Sequence, residues 1–348
     1  GWGYLTVRFR DRKELYNLAE ASMYRVGVIG CRGIGIRHGN GVMGIENAEI
    51  VGGCDIVDEQ LRDFDERYGA TNTNLVLYKD FQEMLEKAEL DILTVATGDN
   101  AHTNLVVGAA EAGVKAIFCE KPLAVSVEAA DRMVEACEKN NVILTVDHTR
   151  HWMPVWHRSH ELIHKEGVIG EVGTVIATHT GPRAMLFRNG THILDAVYWF
   201  AGNAKPEWIV GEVETGYEDY SEYRGDGGHD PDTEPSANAY IHFANGVRGN
   251  YIGEKKTQGG VCLQVMGSEG RLHIGDDGGA QLEKDGEWSK VDVPEWEVEG
   301  IEAGVHELVE ILDAKTESSC TVYDGREVVK MMLGILQSQQ EGNGRGEL

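Results

Sequence analysis

A lysine follows an apolar stretch, in a place where charged side chains are uncommon. The stretch VKAIFCEKP ends in Glu120, Lys121 and Pro122. Because an ammonium group that leaves water needs a partner, a lysine at a buried strand end is usually paired or chemically active. The alternative is a lysine that simply extends from the strand end into solvent. The flanking sequence decides between these two interpretations.

A glycine-rich segment, GVIGCRGIGIRHG, follows an apolar strand and begins a helix. Gly30 and Gly35 occupy the first and third positions of a GxGxxG pattern, while Arg32 stands at the second and Gly33 follows it. Such turns let the backbone approach a pyrophosphate at a helix N-terminus. We therefore predict dinucleotide binding by this turn and by Ile34, with Arg32 adding a cation.

An acidic residue completes the dinucleotide pattern. Asp55 ends the second strand, twenty residues after Gly35. A carboxylate in that position accepts hydrogen bonds from ribose hydroxyls and repels a 2′-phosphate. The sequence thus predicts NAD as the cofactor in preference to NADP, with Arg32 as the nearby group able to reverse that preference. A helix N-cap is the alternative role for Asp55.

These residues require a scaffold, and the first half of the chain supplies one. Short apolar runs (YRVGVIG, AEIVGGCD, DILTVAT, KAIFCEKP and NVILTVDH) alternate with helical segments. That alternation predicts a parallel sheet with helices on both faces, and right-handed crossovers make it doubly wound. The predicted class is α/β, with an N-terminal Rossmann sheet.

The second half follows a different pattern. Runs with period-two alternation are separated by NG, EG and DG turns, which predicts a C-terminal α+β domain with a large, mostly antiparallel sheet. Residues 217–236 are rich in Asp, Gly and Pro, and we expect a surface loop there, for which a lid is one candidate role. The predicted domains are an N-terminal extension at 1–22, a dinucleotide-binding domain at 23–150 and a substrate-binding and oligomerisation domain at 151–348.

Composition limits the partners and the compartment. The net charge is −26, which disfavours nucleic acid and anionic membranes as partners. Six cysteines are scattered without a CxxC pair, as is typical of buried thiols in a reducing cytoplasm. There is no run of about 18 apolar residues and no secretory signal pattern.

Four segments in order, VATGDNAHTNLV, CEKPLAVSVEAA, GVIGEVG and GTHILDAVYWFAG, resemble the Gfo/Idh/MocA family. The resemblance extends from Met23 to the C-terminal segment VVKMMLGILQSQQEG. Members are NAD(P)-dependent oxidoreductases that act on sugars, inositols and related polyols. The EKP tripeptide after a glycine turn and the GxHxxD element carry the assignment.

The resemblance implies catalytic roles for three residues. Lys121 would lie near the reacting hydroxyl and the nicotinamide ribose, where its cation stabilises developing oxygen charge. Glu120 would pair with Lys121 or position the cofactor, and the bond before Pro122 is often cis in this family. His192 would exchange the proton, with Asp195, one helical turn later, orienting or charging the imidazole. The alternative for His192 is a structural histidine at the start of a helix.

One position departs from the family pattern. An aspartate is usual four residues before the catalytic histidine, and Arg188 stands there instead, with Arg183 nearby. Since two guanidinium groups suit a carboxylate, an acidic sugar is one hypothesis. An ion pair between Arg188 and a protein carboxylate is the other.

The resemblance assigns further residues less directly. Arg150 and Trp152 follow the last Rossmann strand, His179 ends a later strand, and all three are predicted to line the substrate pocket. The cofactor side is predicted to include a second set: Thr97, Asn100 and His102.

HELIH, at 160–164, is a literal HExxH motif. Histidines at i and i+4 on a helix can hold zinc, with Glu161 as a base. Gly170 stands where the extended motif would need its third histidine, so we predict no metal here.

We therefore predict hydride transfer between NAD(P) and a hydroxyl or keto carbon of a sugar, sugar acid or inositol-like polyol. The alternative is a redox-neutral glycosidase or eliminase that uses tightly bound NAD. A small carbohydrate substrate and a homodimer or homotetramer are the expected partners.

Overall fold

The computed structural model describes residues 23–225, 228–275 and 278–348. The extension proposed for residues 1–22 lies outside these ranges. Two sheets organise the described chain, one of six strands and one of nine. No helix within these ranges combines the length and apolar character needed to cross a bilayer.

The first sheet is parallel throughout, in the order β3-β2-β1-β4-β5-β6. This confirms the predicted doubly wound sheet, and the strand order reverses beside β1, where ligands bind in such folds. Its strands are β1 (Tyr24–Ile29), β2 (Ala48–Cys54), β3 (Val76–Tyr78), β4 (Ile92–Val95), β5 (Ala116–Cys119) and β6 (Ile143–Val146). The helices between them are α1 (Ile34–Met43), α2 (Asp58–Tyr68), α3 (Phe81–Lys87), α4 (Asp99–Glu111) and α5 (Val127–Asn140).

Local sequence explains where these helices begin. The Asp80 side chain accepts a hydrogen bond from Glu83 N at the start of α3, and Ser126 does the same for Ala129 N at the start of α5. Each cap satisfies a backbone N–H that has no partner within the helix.

The second sheet has the order β14-β13-β12-β11-β7-β10-β9-β8-β15. Only β7 and β10 pair in parallel within the described sheet, which confirms the mostly antiparallel prediction. Its strands are β7 (Val172–Thr180), β8 (Pro206–Val213), β9 (Ala237–Phe243), β10 (Arg248–Glu254), β11 (Gly260–Gly267), β12 (Gly270–Ile274), β13 (Ala280–Lys284), β14 (Glu287–Lys290) and β15 (Gly346–Glu347).

A long C-terminal helix connects this sheet to the first domain. The helices of the second half are α6 (Pro154–His164), α7 (Gly190–Phe200), α8 (Ile301–Leu312) and α9 (Val322–Gln340). Almost all of α7 is buried, and it packs on β7 and β10. α9 begins with a capping box between Thr321 and Asp324 and packs on both β8 and α5.

Helix α8 was not predicted, and it lies far from its neighbours in sequence. It packs on α1 and β5 of the first sheet. Val305 fits against Gly41, where a larger residue would collide, and Arg37 forms an ion pair with Glu302 (Nη2–Oε2 2.5 Å). A segment past residue 300 thus covers part of the dinucleotide-binding half.

Candidate active site

The turn between β1 and α1 requires glycine at two positions, because a side chain there would collide with the backbone. Gly30 has φ +88°, and a Cβ there would collide with the carbonyl oxygen of Ala96. A Cβ at Gly35 would collide with the carbonyl oxygen of Gly30. Gly33 faces open space, and in the described structure no side chain caps the N-terminus of α1. Backbone N–H groups are therefore available to an anion at this turn.

Asp55 is fixed at the end of β2. Its Oδ2 accepts a hydrogen bond from Cys31 N (2.8 Å), and its Oδ1 accepts one from Val57 N (3.0 Å). Val57, not Asp55, is the N-cap of α2, so the capping role considered for Asp55 is wrong. The carboxylate lies beside the glycine turn, as recognition of a ribose requires.

A cavity of about 1400 Å³ joins this turn to the second domain. Asp55 and the turn lie along its wall, and residues from the loop before α7 complete it. The sequence-predicted residues that line it are Gly30, Arg32, Gly33, Ile34, Asp55, Thr97, Asn100, Glu120, Lys121, Arg183, Arg188 and His192. One crevice thus brings together most of the predicted cofactor residues and part of the predicted substrate set.

Lys121 reaches from the first domain to the second. It follows β5, the Lys121–Pro122 peptide bond is cis, and Nζ donates a hydrogen bond to the Arg188 carbonyl oxygen (3.0 Å). Since Arg188 lies just before α7, this bond holds the ammonium beside the start of the helix that carries His192.

His192 is a neutral imidazole near pH 7. Burial lowers its pKa well below the usual value, and the positive charges of Lys121 and Arg150 lower it further. Its Nδ1 has no hydrogen-bond partner in the described structure. An uncharged ring beside a lysine ammonium is able to accept a proton.

Asp195 does not support His192 as predicted. Its carboxylate accepts hydrogen bonds from His151 Nε2 (3.0 Å) and lies 3.3 Å from His148 Nδ1. Burial alone would raise the Asp195 pKa, but these neighbouring imidazoles lower it overall. His148 Nε2 in turn lies 3.1 Å from Thr191 Oγ1, so Asp195 reaches the His192 segment only through His148.

Two predicted contact residues lie behind the cavity wall. His102 is fully buried, with Nδ1 3.0 Å from the Pro122 carbonyl oxygen and Nε2 3.3 Å from that of Thr97. Trp152 packs edge-on against Phe118 at 5.7 Å and against Gly304 of α8. Neither residue lines the cavity, so each supports the wall from behind, and a direct contact with the ligand stays a prediction for both.

Arg150 and His179 lie close to His192 without lining the cavity. The Arg150 guanidinium stacks over Trp156 at 5.0 Å. Burial, followed by the charges of Arg150 and Arg183, lowers the His179 pKa to about 4. Both therefore contribute to the electrostatics around His192 rather than to the cavity surface.

The Arg188 backbone is held by a buried acid. Glu234 Oε1 accepts hydrogen bonds from Phe187 N (3.0 Å) and Arg188 N (2.7 Å). Burial raises the Glu234 pKa to about 7, although these N–H groups oppose the shift. No carboxylate within the described residues forms an ion pair with the Arg188 or Arg183 side chain.

Sequence reasoning missed the residues that attach the 217–236 segment to the first domain. The Tyr223 hydroxyl donates to Asp99 at the start of α4, and its ring stacks on Phe187 at 4.0 Å. Tyr223 and Glu234 are both buried, so this segment is only partly the surface loop predicted. A tyrosine cluster among acidic residues was the available signal. His229, in the same segment, lines the cavity.

Glu120 belongs to a buried cluster behind Lys121. Its Oε1 lies 3.4 Å from His38 Nε2, and Asp147 Oδ2 lies 3.9 Å from the same nitrogen. Burial raises the pKa of Glu120, and burial together with Glu120 raises that of Asp147 well above its usual range. The two carboxyl groups therefore retain protons more readily than exposed acids do.

The HELIH residues pack a helix. His160 stacks on Trp199 at 4.3 Å, and His164 Nε2 lies 3.1 Å from the Phe200 carbonyl oxygen. Glu161 pairs with Lys165 (2.9 Å). Through these contacts the two histidines of the motif pack α6 against α7.

Comparisons with known proteins agree with this architecture. Residues 24–148 match an oxidoreductase family's NAD-binding Rossmann fold, and residues 165–345 match the C-terminal alpha/beta domain of that family. A myo-inositol 2-dehydrogenase from Thermotoga maritima is 32% identical over 158 residues, 45% of this chain and 46% of that protein. A D-apiose dehydrogenase from Paraburkholderia graminis is 37% identical over 131 residues, 38% of this chain and 34% of that protein. The alignments thus cover less than half of each of these curated relatives.

The fold as a whole also has solved counterparts. An aldose-aldose oxidoreductase from Caulobacter crescentus, complexed with glycerol, superposes with a TM-score of 0.78 at 19% identity. The superposition covers 93% of this chain and 99% of that one, so both domains share the fold.

Proposed function

The chain belongs to the Gfo/Idh/MocA oxidoreductase family, and from this premise we propose that it transfers a hydride between a nicotinamide dinucleotide and a hydroxyl or keto carbon of a sugar, sugar acid or inositol-like polyol. The observation that carries the proposal is one cavity lined by the glycine turn, Lys121 and His192. The dehydrogenases and oxidoreductases among its relatives support it. They give no support to the redox-neutral glycosidase considered as an alternative.

The cavity residues fit a dinucleotide. Gly30 and Gly35 permit the tight turn at the start of α1, where a pyrophosphate would bind, and Arg32 would supply a cation to it. Asp55 would accept hydrogen bonds from the ribose hydroxyls, which favours NAD over NADP. Bound nicotinamide would supply the hydride chemistry, and the protein would supply binding, orientation, proton transfer and electrostatics.

We assign different roles toward the substrate hydroxyl to Lys121 and His192. The Lys121 ammonium, held by the Arg188 carbonyl oxygen, would donate to the substrate oxygen and stabilise its developing negative charge. Neutral His192 would take the hydroxyl proton during oxidation and return it during reduction. Asp195 is then a positioning residue that acts through His148.

Boundaries and assembly stay predictions. We place the division between the two domains near residue 150, and we expect a homodimer or homotetramer. Solution scattering on the purified protein would measure the assembly.

A substrate screen tests the function. Sugars, sugar acids and inositols are offered with NAD⁺ and with NADP⁺, and reduced nicotinamide is followed by its absorbance. We expect at least one member to reduce the cofactor in proportion to enzyme. Release of free sugar from a glycoside without net reduction would instead show redox-neutral chemistry, and no reaction in either assay would contradict the proposal.

Asp55→Ser should move cofactor preference toward NADP⁺. The substitution removes the charge that repels a 2′-phosphate and the acceptor that binds ribose hydroxyls, while Arg32 remains nearby. We expect the ratio of kcat/KM for NAD⁺ to that for NADP⁺ to fall by about 10-fold or more. Asp63→Ser, on the exposed side of α2, is the matched control. An unchanged ratio in Asp55→Ser would remove this residue from cofactor selection.

A further inference from the structure

Positive side chains gather at the substrate end of the cavity, in a chain whose net charge is −26. Lys121, Arg183 and Arg188 line it, and His229 lines it beside them. The Arg188 guanidinium Nη2 lies 3.5 Å from His229 Nε2. The charge of Arg188, then burial, and then the charges of Arg183 and Lys121 lower the His229 pKa. These three neighbours are cations, and they disfavour a further positive charge on His229.

The nearby acids Glu234 and Asp99, both within the described residues, accept hydrogen bonds from other donors. Glu234 Oε1 is occupied by the Phe187 and Arg188 backbone N–H groups, and the raised pKa of Glu234 reduces its charge near neutrality. Asp99 accepts a hydrogen bond from the Tyr223 hydroxyl. Within the described chain, neither acid forms an ion pair with Arg183 or Arg188, so apart from the contact between Arg188 Nη2 and His229 the guanidinium groups have no acidic partner that would compete with a ligand.

The arginines are carried by a well-anchored loop. Asn189 donates to the Arg183 carbonyl oxygen (2.7 Å), and Leu186 N donates to that of Pro235 (2.8 Å). The loop leads directly into α7, and the Arg188 carbonyl oxygen accepts from Lys121 Nζ. Hence the two guanidinium groups extend from the same loop that holds Lys121 and leads to His192.

We propose that the substrate carries a carboxylate, which Arg183 and Arg188 bind while the reacting hydroxyl faces Lys121 and His192. This rests on the proposed function and narrows its substrate class to sugar acids, such as uronates or aldonates. Guanidinium binds a carboxylate with two parallel hydrogen bonds, so it fixes orientation as well as affinity.

The same arginines could serve a second anion, the phosphates of the cofactor. Arg32 lies at the glycine turn, whereas Arg183 and Arg188 come from the second domain beside His192. We therefore assign the pair to the substrate. The two sources differ experimentally, because a cofactor role would change KM for NAD⁺ and leave discrimination between acidic and neutral sugars unaltered.

The experiment compares matched substrates in matched variants. The substrates are D-galacturonate with D-galactose and D-glucuronate with D-glucose, and D-gluconate is tested against D-glucitol. The variants are Arg183→Gln, Arg188→Gln and Arg188→Lys, with Arg132→Gln as the control because Arg132 is exposed on α5. The Arg188 substitutions change the side chain only, so the carbonyl oxygen that holds Lys121 stays in place.

We expect an acid to be preferred over its neutral partner. Each Gln variant should raise KM for the acid by about 10- to 100-fold, with Arg188→Lys intermediate and Arg132→Gln unchanged. If neutral sugars react equally well and the Gln variants do not alter the ratio, the carboxylate proposal is wrong although the oxidoreductase stands. A rise in KM confined to NAD⁺ would assign the arginines to the cofactor and also overturn the proposal.

A binding measurement distinguishes failure of the proposed oxidoreductase function from failure of the carboxylate site. Each acid is titrated by calorimetry into protein saturated with NADH. Absence of turnover for every substrate would contradict the proposed function. In that case, binding of an acid that is lost in Arg188→Gln still supports the anion site, and no binding of any acid overturns it.

Discussion

Lys121→Met is expected to lower kcat/KM for sugar oxidation by about 1000-fold, with a far smaller effect on dinucleotide affinity. Methionine keeps much of the side-chain length and removes the ammonium. The substrate oxygen would then develop negative charge without the cation that lies beside His192. Steady-state kinetics measure the loss, and quenching of protein fluorescence by NADH measures cofactor binding.

Two controls separate chemistry from folding. Lys139→Met lies on the exposed last turn of α5 and should retain full activity. Lys121→Met leaves the Arg188 carbonyl oxygen without its donor, so thermal unfolding must show that the variant is folded. A folded variant with near-normal kcat/KM would exclude Lys121 from the reaction.

The sequence was sufficient for the fold because local patterns carry the relevant information. Short apolar runs alternating with helices specify a parallel sheet, and period-two alternation with NG and DG turns specifies the antiparallel one. Helix α8 was missed for the opposite reason. Its partners are α1 and β5, and no local signal links residues 301–312 to segments more than 180 positions earlier.

The site was foreseen where motifs sit at strand ends. Gly30, Asp55 and Lys121 line one cavity because topology brings the carboxyl ends of β1, β2 and β5 to one edge, and His192 reaches the same cavity from α7 of the second domain. The partners of Asp195 were not foreseen. Helical spacing pointed to His192, whereas the actual neighbours belong to a turn after β6 that only tertiary packing brings near.

The burial of individual side chains was also not predictable from local sequence. Trp152 was predicted to face sugar because aromatic rings suit carbohydrate, but the space beside Phe118 and Gly304 accommodates the ring. Residues 217–236 have the composition of a solvated loop, yet Tyr223 is buried by its stack on Phe187. Which side of a wall a residue faces depends on packing between distant segments.

His192→Asn is expected to lower kcat/KM for oxidation by about 100-fold and to remove the acidic limb of its pH profile. Burial first, then the charges of Lys121 and Arg150, hold the His192 pKa well below 6.5. The base is therefore neutral at pH 7. Activity should be nearly constant from neutral pH down to about 6.5 and should fall only as the pH drops through the lowered pKa, where the ring gains its proton.

A second variant tests the sign of this effect. Arg150→Met removes one positive charge that opposes protonation of His192 but leaves its burial, so the acidic limb should move toward higher pH. Profiles of kcat/KM for the unchanged protein, Arg150→Met and His192→Asn decide the matter together. A limb that persists in His192→Asn, or one centred above pH 6.5 in the unchanged protein, would assign the proton to another group. If His192 is the proton acceptor, the acidic limb must disappear in His192→Asn and shift in Arg150→Met. A proton acceptor accepts a proton only while it is uncharged, and the nearby cations keep His192 uncharged to lower pH.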